Sequence, residues 1–259
     1  MNQQLDHINR WIEGNIGIIE LNRPHVLNAI NRKMISEIVE TLEIYDSLEE
    51  VHVVVLVGGG RAFAAGADID EMAEVSSIEL ERLNQFRDWD RIAEMKKPMI
   101  GAVHGFAFGG GFELALCCDI LLASYDTEFA FPEVTLGIMP GAGGTQRLTK
   151  LIGKNRAMEW LFTGDRMSAQ IAYELGVVNR LVPKELIREE TFRLATKIST
   201  NPAMSVRLIK ESVLTAVDST ILEGMKYERK NFSLLFSSED QKEGMRAFRE
   251  KRKPQYKGR

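Results

Sequence analysis

The stretch FAFGGGFELALCCD, Phe106 to Asp119, sets three glycines directly before a helix-like run and places one carboxylate, Glu113, among apolar neighbours. Glycine is a poor helix former whose backbone freedom is costly to fix. A buried carboxylate is expensive unless something pairs with it or uses it. Two unfavourable choices side by side mark a site. Working outward, the flanks read as short apolar strands: MIGAVHG before it, DILLAS and EFAF after it. Further upstream, IGIIEL (Ile16 to Leu21) and VVVLVG (Val53 to Gly58) are strands, the second buried on both faces. Between them Met34, Ile35, Ile38, Leu42 and Tyr45 recur at helical spacing, with acidic residues opposite. Ser76-x-x-Glu79 is a capping-box pattern opening a helix over 76–96, with Leu80, Leu83, Phe86, Ile92 and Met95 along one side, before Pro98.

Strand and helix alternate, which predicts an α/β architecture with parallel pairing and leaves room for a weak ββα recurrence. From about Lys197 the pattern becomes helical throughout, and Ser238-x-x-Gln241 is a second capping box. The expected division is an α/β core over 1–195 and a helical C-terminal region over 196–259.

The 259 residues, with 44% apolar and 27% charged side chains, suit one large domain or a domain with an appendage. A net charge of −4 gives no general attraction to nucleic acid or anionic membrane. The start, MNQQLDHINRWIEGN, is polar and reads as neither a secretory nor a transit peptide. No apolar run approaches the ~20 residues that span a bilayer. Cys117 and Cys118 are adjacent, which argues for small core residues in a reducing compartment rather than a disulfide framework. The expectation is a cytoplasmic protein with no membrane and no nucleic-acid partner.

The glycine run is no nucleotide signature. A P-loop needs Lys-Ser/Thr after its last glycine, where Phe112 and Glu113 stand here, and no GxGxxG spacing occurs. Neither HExxH nor a zinc-like Cys/His grouping is present, so no metal is expected. His104 reads as structural. What remains is an anion corner, with backbone N–H groups at a helix start facing charge that develops on a carbonyl oxygen. Glycines that merely let helix and strand pack closely are the competing reading. Two segments favour the anion corner: RAFAAGADID (Arg61 to Asp70), whose small residues expose main chain, and FPEVTLGIMPGAGGTQRL (Phe131 to Leu148), a shaped loop carrying Glu133. Glu113 and Glu133 stand 20 positions apart, so only the tertiary fold can join them.

Together these segments resemble the enoyl-CoA hydratase (crotonase) family, from IELNRPHVLNAIN through FAAGADI, GGGFELALCCD and FPEVTLGIMPGAGGTQRL to EGMRAFREKRKP. The resemblance implies a crotonase-like spiral of ββα units, a C-terminal helical trimerisation region, and a homotrimer or a hexamer made as a dimer of trimers. It makes Ala67 and Gly110 the N–H donors of a thioester oxyanion hole and pairs Glu113 with Glu133 as catalytic residues. It assigns Arg61, Ala65, Asp68, Ile69, Gly141, Phe232 and Lys251 to CoA or substrate binding, Phe232 and Lys251 from a neighbouring subunit. CoA is then part of an acyl-CoA substrate, and no separate cofactor is implied. His25 departs from the Lys or Arg that many members carry near the CoA phosphates.

The expected reaction is hydration of a trans-2-enoyl-CoA to a 3-hydroxyacyl-CoA in fatty-acid β-oxidation. Glu113, favoured as the anion by its own helix N-terminus, activates water, and Glu133 protonates Cα. The alternatives are an enoyl-CoA isomerase or a methylglutaconyl-CoA hydratase. An RNA-binding branch of the family carries a lysine-rich early helix. Here that helix reads MISEIVETLEIYDSLEE, with Glu37, Glu40 and Glu43 among its acids, which would repel phosphate.

Overall fold

Val53 and Val55 of VVVLVG face one hydrophobic layer, while Val54 and Leu56 face another. A strand apolar on both sides needs cover on both sides, as a parallel sheet between helices provides. The computed structural model describes residues 5–259 and shows that arrangement. In chain order it comprises strands β1 (Ile8–Glu13) and β2 (Ile16–Leu21), helix α1 (Arg32–Ser47), strand β3 (Val53–Gly58), helices α2 (Ser77–Leu83) and α3 (Arg87–Ala93), strands β4 (Met99–Val103) and β5 (Phe106–Phe108), and helix α4 (Gly110–Leu116). There follow β6 (Ile120–Ser124), β7 (Glu128–Ala130), α5 (Gly144–Ile152), α6 (Lys154–Thr163), β8 (Met167–Ser168), α7 (Ala169–Glu174) and β9 (Arg180–Val182). The chain ends in helices α8 (Ile187–Ser199), α9 (Ala203–Asp218), α10 (Ile221–Leu235) and α11 (Glu239–Glu250).

Six strands form the main sheet in the order β1-β2-β3-β4-β6-β9, parallel except for the β1–β2 hairpin. A smaller sheet runs β5-β7-β8. The chain visits them alternately: β4 then β5 then α4, and β6 then β7 then α5. Earlier passes leave only single bridges in the second layer, Ala64 to Ala107 and Ile30 to Ala67. This is the expected ββα spiral, and it stacks successive loops at one end of the sheet.

The two capping boxes place their serines as read: the Ser76 and Ser238 hydroxyls accept from the N–H groups of Glu79 and Gln241. The helix expected over 76–96, however, is two helices. Asn84 takes a left-handed conformation (φ 42°) and closes α2 on the carbonyls of Leu80 and Glu81, a role asparagine tolerates. Ile92 and Met95 still enter the core, but Leu80, Leu83 and Phe86 do not. The polar-looking start hides a strand: β1 buries Ile8, leaves its other residues half-buried or exposed, and pairs with the whole of β2. Glu37, counted above with the repelling acids, turns inward and accepts the N–H groups of Asp6 and His7. The division at residue 196 falls inside α8, whose Phe192, Ala195 and Ile198 pack on the face of the sheet formed by Val53 and Val55.

The C-terminal helices bury few side chains, among them Leu208 of α9, and Lys210 in the same helix makes a polar tie to the core. Its Nζ lies 2.8 Å from an Asp119 carboxylate oxygen and donates to the Lys97 carbonyl at 3.0 Å. Replacing Lys210 with methionine leaves a partly exposed Asp119 carboxylate held by the Met99 N–H alone. Urea unfolding is expected to register a loss of about 1–2 kcal/mol, with amide exchange rising first in α9. On its outer side α9 exposes Ile209, Val213 and Val217 at four-residue spacing, and α10 begins with exposed Ile221 and Leu222.

Candidate active site

Asn28 organises the loop end of the spiral. It is fully buried, sits at φ 55°, and directs its Nδ2 to the carbonyls of Gly59, Ala62 and Phe63. Its Oδ1 accepts from the Arg23 N–H. The Arg23 guanidinium in turn holds the Ala29 carbonyl and the Asp68 carboxylate, the latter at 2.9 Å. These ties fix the chain from Gly59 to Asp68 against the Arg23–Ile30 turn. Ile30 donates to Gly66 O, and Asp68 donates to Ile30 O. A parallel bridge of this kind uses the residues flanking Ala67 and leaves the Ala67 N–H itself turned away.

The three glycines serve three different needs. Gly109 takes φ 47°, where a side chain is strained, and lies against a carboxylate oxygen of Glu133. Gly110, the first residue of α4, brings its backbone beside Ala67: a Cβ there would stand 3.7 Å from the Ala67 nitrogen. Gly111 permits close packing, since a Cβ would fall 2.4 Å from the Ala64 carbonyl oxygen. Close packing accounts for Gly111, while Gly109 and Gly110 bring backbone against Glu133 and Ala67. Among the described residues, neither the Ala67 nor the Gly110 N–H has a partner.

Both glutamates line the same cavity, of about 760 Å³, with Ala65, Ala67, Asp68, Ile69, Gly110 and Gly141. Arg61, Phe232 and Lys251 do not line it within this chain; Phe232 lies exposed on α10, and Lys251 ends α11 in a left-handed turn. His25 is exposed on the turn Pro24–Val26. His104 lies outside the cavity with Nε2 3.1 Å from the Gly60 carbonyl, and burial lowers its pKa. Cys117 is buried, which pushes its thiol up to about 11, an inert environment. Among the described residues no cluster of potential metal ligands forms, and no helix is long and apolar enough to cross a membrane.

The two carboxyl groups differ in what meets them. Glu113 is 4% exposed, and its Oε1 accepts from the N–H groups of Ala142 at 2.7 Å and Gly144 at 2.8 Å. Glu113 lies in the first turn of α4 as expected, and these two donors are additional, one from the loop before α5 and one from its first residue. Burial raises the Glu113 pKa on balance, and the N–H groups of Gly144 and Ala142 with the positive charge of Arg147 offset only part of that rise. Glu133 has less help, its own backbone N–H alone acting to lower it. Its Oε2 is buried with no partner among the described residues. Burial, with a further push from the Glu113 charge, raises Glu133 to about 7. One carboxyl group is thus equipped to be an anion and the other to hold a proton.

Sequence reasoning missed Asn28, the Ala142 and Gly144 donors, and Arg147. Asn28 had a signal, a polar residue set in the apolar run Leu27–Ile30. The donors carry no side-chain signature.

A two-sheet ββα spiral whose loop end gathers two carboxyl groups and two backbone N–H groups in one cavity has the architecture of an α/β protein of the crotonase type. Comparison with known proteins agrees. The family model described as enoyl-CoA hydratase/isomerase matches residues 11–259. A mitochondrial enoyl-CoA hydratase from Pongo abelii is 47% identical over 93% of this chain and 83% of its own. The 2,3-dehydroadipyl-CoA hydratase of Escherichia coli K12 is 39% identical, covering 93% and 95%. A crystal structure of an enoyl-CoA hydratase subunit I from Geobacillus kaustophilus HTA426 superimposes with TM-score 0.97 at 61% identity, over 99% of this chain and 100% of that one. The chain belongs to the enoyl-CoA hydratase/isomerase family, and the resemblance read from its motifs extends along nearly its whole length.

Proposed function

We propose that this protein is an enoyl-CoA hydratase that adds water across the trans-2 double bond of an acyl-CoA thioester. One observation carries the reading: a partnerless, buried Glu133 oxygen and a Glu113 carboxylate held by two N–H donors share a cavity with two free backbone N–H groups. The thioester oxygen sits between the Ala67 and Gly110 N–H groups, which stabilise the negative charge it gains. Water, positioned by Glu113, bonds to Cβ and gives its proton to that carboxylate. The double-bond electrons form the enolate, and Cα takes the Glu133 proton. Glu113 ends protonated and Glu133 ionised, and proton exchange with solvent resets the pair.

The CoA enters along Ala65, Asp68 and Ile69, while Arg61 and, from a neighbouring subunit, Phe232 and Lys251 contact its remote end. The exposed apolar stripe Ile209, Val213 and Val217 supports assembly as a homotrimer or a dimer of trimers. Fatty-acid β-oxidation is the proposed setting. The test is product analysis with crotonyl-CoA. Hydration gives a product heavier by one water with loss of the conjugated thioester absorbance. A product of unchanged mass with a migrated double bond would instead establish an isomerase, and the absence of any product would contradict the reading.

A further inference from the structure

We infer that Phe86 is the steric stop that sets the acyl-chain length this site accepts, an inference that rests on the hydratase reading and deepens it. Phe86 lies at the break between α2 and α3, is 43% exposed and lines the cavity. Its ring reaches across to the opposite loop. A Cβ built on Gly141 would lie 2.6 Å from the Phe86 Cζ and 3.0 Å from its Cε1. Gly141 does not have a positive φ, so its backbone makes no demand for glycine; the neighbouring ring does. The next residue, Ala142, donates to the Glu113 carboxylate at 2.7 Å. The ring therefore stands one residue from the donor that holds the water-activating group.

With the thioester oxygen at Ala67 and Gly110 and Cβ at the carboxyl groups, the rest of the acyl chain continues past this contact. A short chain ends before the ring. A longer one has to displace it. The ring comes from a segment that Asn84 bends away from helical geometry, so the stop is a side chain on a connecting turn rather than part of the packed core. The favoured substrates are thus short straight-chain enoyl thioesters, and side-chain volume at position 86 sets the limit.

The test measures kcat/KM for crotonyl-CoA and for trans-2-decenoyl-CoA in the wild type and in Phe86→Ala, Phe86→Leu and Phe86→Trp. The readout is the ratio of decenoyl to crotonyl, in which damage common to both substrates cancels. The ratio is expected to rise about tenfold or more in Phe86→Ala, by less in Phe86→Leu, and to fall in Phe86→Trp. A Gly141→Ala change is further expected to cost less in the Phe86→Ala background than alone. A ratio that stays flat, or does not follow side-chain size, while the wild type hydrates crotonyl-CoA would overturn the inference and leave the hydratase reading intact. A wild type that hydrates neither thioester would overturn both.

Discussion

Glu133→Gln is expected to lower kcat for crotonyl-CoA hydration by about 10²–10⁴-fold, with CoA binding retained. Glutamine keeps the shape and removes the proton that Cα must receive. The same group sets the alkaline side of the wild-type pH profile. Burial and the Glu113 charge hold Glu133 near 7, so the acid form of the free enzyme is depleted as pH rises through about 7 and kcat/KM falls with it. In Glu113→Gln the charge that pushes Glu133 upward is gone, and the residual alkaline limb is expected to move to lower pH. Stability carries the opposite sign to activity lost by mutation. Between its ordinary value of 4.5 and about 7, Glu133 is protonated in the folded chain and ionised in the unfolded one. Folding stability therefore declines across that interval and does not recover above it. Glutamine lifts this cost, so Glu133→Gln is expected to exceed the wild type at pH 8 by about 1–3 kcal/mol, reduced from the full linkage value by partial solvent access. At pH 4 the two are expected to match. Urea titrations at both pH values check the difference.

The largest loss of stability is expected at Asn28. Removing its side chain strands the buried carbonyls of Ala62 and Phe63 and leaves the half-buried Gly59 carbonyl and Arg23 N–H to find water. At about 1–3 kcal/mol for each stranded group, even partial rescue by water leaves a loss of about 4 kcal/mol or more for Asn28→Ala. Asn28→Asp is sharper still. Aspartate tolerates φ 55° and has the same size, yet it presents a carboxylate to three carbonyl oxygens and donates nothing. It is expected to be at least as damaging as alanine at pH 7. Both variants loosen the segment that presents the Ala67 N–H, so a fall in kcat is expected under conditions where the protein remains folded. Unfolding curves that place either variant within 1 kcal/mol of the wild type would contradict this account.

The parts legible in the sequence share one property: they depend on local periodicity. VVVLVG and IGIIEL form strands over the residues read, because short runs rich in β-branched apolar residues are informative on their own. The helix over 76–96 failed because Asn84 breaks it for the sake of the cavity, and periodicity carries no signal for a cavity. The strand at Ile8–Glu13 was hidden because its exposed edge is polar, as an edge strand's should be. At the site, Glu113 was legible as a carboxylate out of place among apolar neighbours. Its partners were not, since the N–H groups of Ala142 and Gly144 come from backbone that the fold delivers from about thirty residues away. The place of Glu113 in the first turn of α4 was legible, and the added contribution from the α5 side was not.

Direct titration of the two carboxyl groups by carbon NMR, with Glu113→Gln and Glu133→Gln used for assignment, tests the division of labour that the mechanism needs. The account predicts that Glu133 titrates near 7 while Glu113 gives up its proton at lower pH, so that the resting pair holds one proton on Glu133. A Glu133 that is already ionised well below neutrality, or a Glu113 that keeps its proton to higher pH than Glu133, would contradict it.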